Sequence, residues 1–245
     1  MILIKNNSEI ELIRESSKIV AETLQLVKSY VKAGITTNEL DKIAEDYIRS
    51  NNAVPAFKGY GYDVPFPASI CASINEEVVH GIPSERELND GDIISLDIGV
   101  LKNNYYGDAA LTVAVGEISE EKKLLMKVTE ESLYKGIEAA VAGNRIGDIS
   151  HAVQSYVESF GFSIVRDLTG HGVGRKLHED PPIPNFGRPK SGPVIKDGMT
   201  IAIEPMVNAG TYKVTIAEDE WTIATADRRP SAHYEHTIAI INGKP

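Results

Sequence analysis

Residues Ile93–Val115 read IISLDIGVLKNNYYGDAALTVAV, two runs of alternating side chains around Lys102-Asn103-Asn104, and they decide the plan of the chain. Successive side chains of a strand point to opposite faces. Ile94, Leu96, Ile98 and Val100 therefore share one face, and Ser95, Asp97 and Gly99 the other. The second run sets Tyr105, Ala109, Leu111, Val113 and Val115 against Tyr106, Asp108, Ala110, Thr112 and Ala114. A two-residue turn at Lys102-Asn103 predicts a hairpin with Asp97 directly opposite Asp108. Like charges so placed repel, and a divalent cation between them removes the penalty. The hairpin is expected to be half of a metal site.

The flanking sequence supplies the other half. Ahead of the hairpin, Ser8–Lys32 has the apolar spacing of a helix capped by Ser8, and a second helix runs from a Thr37 cap to Asn51-Asn52. Behind it the plan restarts, with a long helix over Ser119–Val141 and a shorter one from about Gly147 to Phe160. Ala33-Gly34, Glu39-Leu40 and Tyr47-Ile48 match Ala142-Gly143, Asp148-Ile149 and Tyr156-Val157 at a constant offset of 109 residues. Asp90-Gly91 stands seven residues before Asp97, as Asp197-Gly198 stands seven before Glu204. The chain reads as one domain over 1–245, built of two related halves, roughly 8–115 and 119–240. Helices bunched ahead of hairpin strands argue for an α+β fold.

In Met199–Val207, Glu204 shares a face with Thr200, Ala202 and Met206; in His233–Ile240, Glu235 shares a face with His233, Thr237 and Ala239. One acid on the open face of one strand is ordinarily solvated. Four strands with one acid each, two in each half, point instead to a shared concave site, with the four helices covering the far side.

The totals exclude several classes. Of 245 residues, 42% are apolar and 24% charged, as in an ordinary globular protein. Twenty-five basic against 35 acidic residues give a net charge of −10, which argues against a nucleic-acid partner. The single Cys71 excludes an internal disulfide and fits a reducing, cytoplasmic setting. The opening MILIKNNSEIELIRES is too polar for a secretory signal, and no uncharged run has the length of a membrane span. H-E-x-x-H, G-x-S-x-G, the P-loop and C-x-x-C are all missing.

Of six histidines, His171 lies in Gly170-His171-Gly172-Val173-Gly174, where glycines allow close approach; a turn histidine is an equal reading. His80 and His178 stand at matching places before proline-containing loops, VVHGIP and KLHEDPPIP. His151 reads as surface, His236 as a core residue, and His233 as either. Four carboxylates and an imidazole exceed the needs of one cation with an open position and suit two. The oxygen-rich set favours Mn, Fe(II) or Co over a structural thiolate zinc. Two such ions make hydroxide at neutral pH, so hydrolysis is the expected chemistry.

With these residues in hand, the chain resembles the type I methionine aminopeptidases. The stretches that carry the likeness are FPASICASINEEVVHGIP from Phe66, DIISLDIGVLKNNYYGDAALTVAVG, TGHGVGRKLHEDP, MTIAIEPMVNAG and SAHYEHTIAI. The resemblance implies the pita-bread fold, with two pseudo-symmetric halves and a curved antiparallel sheet covered by helices. It implies a cytoplasmic, bacterial-style, monomeric enzyme that removes the initiator methionine from nascent chains at the ribosome when the second residue is small. Two divalent ions per chain (Co, Mn, Fe(II) or Zn) would be held by Asp97, Asp108, His171, Glu204 and Glu235, with Asp108 and Glu235 bridging. Glu204 would also act as general base, His80 would face the scissile amide, and His178 would donate to the carbonyl oxygen.

The methionine pocket would be lined by Cys71, Phe66, Trp221, Leu177 and a tyrosine, Tyr60 or Tyr62. Leu177 stands where the family commonly has an aromatic residue, and Gly59–Pro65 carries an insertion. A monovalent cation, Na or K, is implied at Asn75, the backbone near Glu77, and Ser231. The rival readings are a proline-specific aminopeptidase on the same fold and a non-catalytic protein that has lost its metals. The first usually has a large additional N-terminal domain, and the second would lack at least one ligand.

Overall fold

The fold is described from a computed structural model, for residues 1–61 and 63–245. Asn6 accepts from the Glu9 N–H while the Glu9 carboxylate accepts from the Asn6 N–H, and this reciprocal cap starts α1 (Asn7–Tyr30). Thr36 and Glu39 do the same for α2 (Thr37–Ser50). The caps expected at Ser8 and Thr37 thus lie earlier, at Asn6 and Thr36, because Glu9 and Glu39 occupy the third helical position that a capping box needs. The chain continues through β1 (Val54–Pro55), β2 (Cys71–Ile74), β3 (Glu77–Val79), β4 (Ile93–Lys102) and β5 (Tyr105–Ala114). Next come α3 (Glu120–Ala139), capped by Ser119 as expected, and α4 (Ile146–Ser159). The remaining strands are β6 (Ser163–Ile164), β7 (Thr169–Gly172), β8 (Glu179–Pro184), β9 (Thr200–Ile203), β10 (Met206–Asn208), β11 (Val214–Ile216), β12 (Ile223–Thr225), β13 (Ser231–His233) and β14 (Glu235–Ala239).

Eight strands form the central sheet in the order β1-β4-β5-β14-β9-β7-β8, with β2 also on β4. Each helix pair covers its own half of one face. Val20, Leu24, Leu40 and Ile48 pack on Ile94, Leu96, Ile98 and Val100; Leu133, Ile146 and Ile149 pack on Ile201, Ile203 and Tyr234. The halves also match in detail. Gly34 and Gly143 both have left-handed backbones, φ 85° and 95°, ahead of α2 and α4. Their N–H groups donate to the carbonyls of Leu88 (2.8 Å) and Ile195 (3.0 Å).

The hairpin differs from expectation in its turn. Asn103 and Asn104 are the two turn residues, φ 51° and 63°, so Asp97 pairs with Ala110 and Asp108 with Gly99. A two-residue turn of this kind needs φ > 0 at both positions, which Asn tolerates and Lys102 would not. The slip moves each partner by two residues. It keeps both aspartates on one face, as diagonal rather than direct neighbours.

Two expected strands are interrupted. Pro205, which has no N–H to give a ladder, separates β9 from β10, and Tyr234 separates β13 from β14. Glu204 and Glu235 therefore sit at breaks where the chain leaves one sheet for another. His236 is exposed rather than buried in the core. The helix pairs part over β14, and His236 lines the groove left there, with its ring 5.9 Å from that of Tyr134. Among the described residues, no helix is long and apolar enough to cross a membrane.

The turn gives a direct test. Asn104→Gly should stabilise the protein by about 0.5 kcal/mol and Asn103→Val should destabilise it by about 1–2 kcal/mol, measured by denaturant unfolding. Equal stabilities would return the turn to Lys102-Asn103.

Candidate metal centre

The order of the sheet assembles the site. Asp97 on β4, Asp108 on β5, Glu235 on β14, Glu204 at the end of β9 and His171 on β7 come from five consecutive strands. Apolar neighbours buried beneath the helices turn these polar side chains to the opposite, concave face. His171 reaches its place because β7 lies tight against its neighbours. A Cβ on Gly170 would stand 2.4 Å from the Ala202 carbonyl oxygen, and one on Gly172 would stand 2.4 Å from that of Asp180.

Asp108, His171 and Glu235 each offer a ligand atom, all within 4.8 Å of one another. His171 Nε2 lies 3.8 Å from Asp108 Oδ2 and 3.4 Å from Glu204 Oε1. Its Nδ1 donates to the Gly172 carbonyl at 2.9 Å, which leaves Nε2 as a bare acceptor aimed at the acids. One oxygen each of Asp97, Asp108 and Glu235 is buried with no hydrogen-bond partner.

The electrostatics show what is missing. Burial pushes Asp97 up to about 7. Asp108 is driven well above the usual carboxylate range by burial first and then by Glu235 and Asp97. Glu204 rises through burial and the charges of Asp108 and Asp97; Glu235 rises through burial, Glu204 and Asp97. Burial holds His171 down at about 4, so its imidazole is neutral. Four acids that cannot all ionise alone, three orphaned oxygens and a neutral imidazole are a donor set for divalent cations.

A cavity of about 200 Å³ opens from this cluster. Phe57, Phe66, Cys71 and Leu177 form its buried apolar wall, with Trp221 packed on them and the Phe66 and Trp221 rings edge-on at 5.2 Å. Burial, then Asp97, keeps the Cys71 thiol neutral well above its ordinary pKa. Tyr60 lines the cavity, and its hydroxyl is 2.5 Å from His178 Nδ1. Tyr62 lies outside the described residues. His178 sits exposed at the mouth with its ring 4.2 Å from that of His171. His80 lies beside Trp221, rings 6.1 Å apart, and burial lowers its pKa to about 4.

Phe57, Val79, Leu168 and Met206 also line the cavity and escaped sequence reading. Apolar loop and strand residues have no pattern that separates a pocket wall from core. His233 is buried, with neither ring nitrogen hydrogen-bonded. Asn75 and Ser231 come together, Ser231 N donating to the Asn75 carbonyl at 2.8 Å. There, in contrast to the acid cluster, no side-chain atom of Asn75, Glu77 or Ser231 is buried without a partner.

The model of metallopeptidase family M24 matches residues 11–242. A methionine aminopeptidase of Clostridium acetobutylicum is 57% identical, over 100% of this chain and 97% of the relative. Methionine aminopeptidase 1 of Bacillus subtilis is 54% identical over 98% and 96%. The crystal structure of methionine aminopeptidase from Rickettsia prowazekii superposes with a TM-score of 0.97 at 41% identity, covering 100% of this chain and 98% of that one. A prolidase from Pyrococcus furiosus shares the pita-bread fold at a TM-score of 0.79, but at 23% identity and with 63% of its own length covered. The likeness to the prolidase is one of fold alone. Identity across the full length, together with a buried acid and imidazole cluster suited to divalent metals, places the chain in metallopeptidase family M24, in its methionine aminopeptidase branch.

Proposed function

We propose that this chain is an aminopeptidase that removes N-terminal methionine from polypeptides whose second residue is small, with two divalent cations held by Asp97, Asp108, His171, Glu204 and Glu235. Nascent chains in the cytoplasm are the proposed substrates. The observation that carries the reading is the convergence of orphaned, buried carboxylate oxygens with a neutral His171 in a cavity that has an apolar wall. Bound cations would supply Lewis acidity and ionise water near neutral pH. Asp108 and Glu235 are the proposed bridging residues.

The chain's own residues then divide the work. A cavity of about 200 Å³ has room for one side chain. Cys71, Phe66 and Trp221 offer a thioether soft and aromatic contacts. The free α-amine of a substrate would reach the metal end of the cavity, and one such amine-binding end makes the enzyme an exopeptidase. Glu204, 3.4 Å from His171, takes the proton from the attacking water. The Tyr60 hydroxyl is within hydrogen-bond distance of His178 Nδ1; in the tautomer in which that nitrogen accepts, Nε2 of His178 carries the proton and can donate it to the carbonyl oxygen as charge develops there. Neutral His80, beside Trp221, faces the scissile amide.

Hydrolysis of Met-Ala-Ser, absent with Ala-Pro peptides, should be abolished by chelation and restored by Mn, Fe(II) or Co. Asp108→Asn should lower kcat/KM by at least about 10³-fold and weaken Mn binding in calorimetry. Undiminished turnover would refute the ligand assignment. His178→Ala should lower kcat by about 10²–10³-fold, and a change confined to KM would remove its role at the oxyanion.

The raised carboxylates also predict a pH dependence of stability. Folding raises the pKa of Asp97 to about 7 and those of Asp108, Glu204 and Glu235 well above the usual carboxylate range. The folded state therefore holds protons that the unfolded chain has released, and stability falls as pH climbs through the folded values. From pH 7 to 8.5, Tm of the metal-free protein should drop by about 3 °C or more. Saturating Mn should remove the drop, and a flat profile without metal would contradict the uncompensated acids.

A further inference from the structure

Lys5 stands one residue ahead of the Asn6 cap of α1, and its side chain reaches the turn that carries His178. Its ammonium donates to Glu179 Oε2 at 2.5 Å and to the Leu3 carbonyl at 3.2 Å. The two charged side chains are only 5% and 4% exposed. The other oxygen of Glu179, Oε1, accepts from Lys176 N at 3.2 Å and so closes the turn over Leu177 and His178. The backbone of Glu179 pairs with Gly172, whose carbonyl accepts from Nδ1 of His171. The space around the pair is tight. A Cβ on Gly174 would stand 2.5 Å from Glu179 Oε1 and 2.7 Å from Lys5 Cε. The backbone of Lys5 is held as firmly. Its N–H donates to the Gly198 carbonyl at 2.8 Å, and a Cβ on Gly198 would stand 2.6 Å from the Lys5 carbonyl oxygen. Gly198 belongs to the Asp197-Gly198 turn that leads into β9 and Glu204.

We propose that Lys5 positions His178: through Glu179, its ammonium fixes the turn that aims the His178 ring at the carbonyl oxygen of the substrate. The proposal rests on the peptidase reading, since it assigns a residue to that reaction. Two opposite charges are costly to bury, and an apolar pair of the same size is often as stable or more so. Stability alone is therefore a weak reason for a lysine and a glutamate at this place. His178 supplies a stronger one. It is exposed at the cavity mouth, in contact with the Tyr60 hydroxyl and the His171 ring. An exposed ring has little packing to fix it, so its aim falls to the backbone of its own turn. A carboxylate gripped by a buried ammonium on one oxygen and by Lys176 N on the other makes that backbone stiff. Neither Lys5 nor Glu179 lines the cavity of the metal centre, so both are positioning residues.

The test compares Lys5→Met, His178→Ala and the variant carrying both changes. With Mn-loaded protein and Met-Ala-Ser, Lys5→Met should lower kcat by about tenfold and leave KM and the calorimetric Mn affinity within about twofold of wild type. In the His178→Ala background the same change should move kcat by less than about twofold, because the group it acts through is gone. A second readout needs no turnover. In NMR spectra of the zinc-loaded protein with isotope-labelled histidine, the His178 ring signal is assigned by its loss in His178→Ala. That signal should shift in Lys5→Met, while the signal of the exposed His151 stays in place. The proposal is overturned if kcat of Lys5→Met stays within about twofold of wild type, or if the loss is as large with His178 already removed. An unmoved His178 signal, or Mn binding that weakens in step with kcat, would equally overturn it. Should Lys5→Met not fold, Lys5→Met/Glu179→Gln buries no unpaired charge, takes its place and should show the same losses. A protein inactive on Met-Ala-Ser would fail the peptidase reading, and the ring signal would still decide whether Lys5 fixes His178.

Discussion

Mutual repulsion among four buried carboxylates is the constraint on which the rest of the structure depends. Asp97, Asp108 and Glu235 are buried and Glu204 is largely so, and each raises the pKa of a neighbour. Interior charges without partners are ordinarily removed by evolution or neutralised by a proton. Here the arrangement is preserved by a sheet whose other face is locked under two helix pairs, so the acids cannot relax away from one another. The fold stores an unfavourable charge distribution that a pair of cations would reverse.

That storage needs both halves. β4 and β5 bring two aspartates, the segment from β7 to β14 brings Glu204, Glu235 and His171, and β5 meets β14 at the seam. Neither half alone has enough donors for two ions. The helices make the same point from the outside. α2 and α4 begin at Thr37 and Ile146, at the 109-residue offset already visible in the sequence, and each covers the strands of its own half. Where the two coverings part, β14 is left under an open groove, and a histidine on the apolar face of its strand ends up exposed.

The acids were legible in the sequence because strand alternation is strict: Asp97, Asp108, Glu204 and Glu235 each stand among small or polar residues, with Ile, Leu or Val on the other face. His171 was harder, since glycines on both sides fit a turn as well as a tight strand. Only the carbonyls of Ala202 and Asp180 distinguish the two. The hairpin register was misplaced because alternation is blind to a slip of two residues, and the left-handed tolerance of Asn103-Asn104 outweighs the position of Lys102. Pocket walls such as Phe57 and Leu168 were illegible for a different reason. Their apolar character is the same in a core and in a cavity, and only tertiary placement separates them.

Two polar clusters in this molecule solve the burial of charge in opposite ways. Around Asn75 each side-chain polar group has a partner inside the chain, including a cation delivered covalently by Lys122, and the turn is held in a backbone conformation that asparagine adopts only at some cost. Around Asp108 the partners are left out, and the cost falls on the metal-free protein as raised pKa values and orphaned oxygens. In the first, a built-in ammonium satisfies the Asn75 amide oxygen and the Gly91 carbonyl without exchange. It would fail in the second, where a lysine would fill the coordination space that substrate and water must enter. The distribution of satisfied and unsatisfied polar atoms thus separates the part of the molecule that positions from the part that reacts.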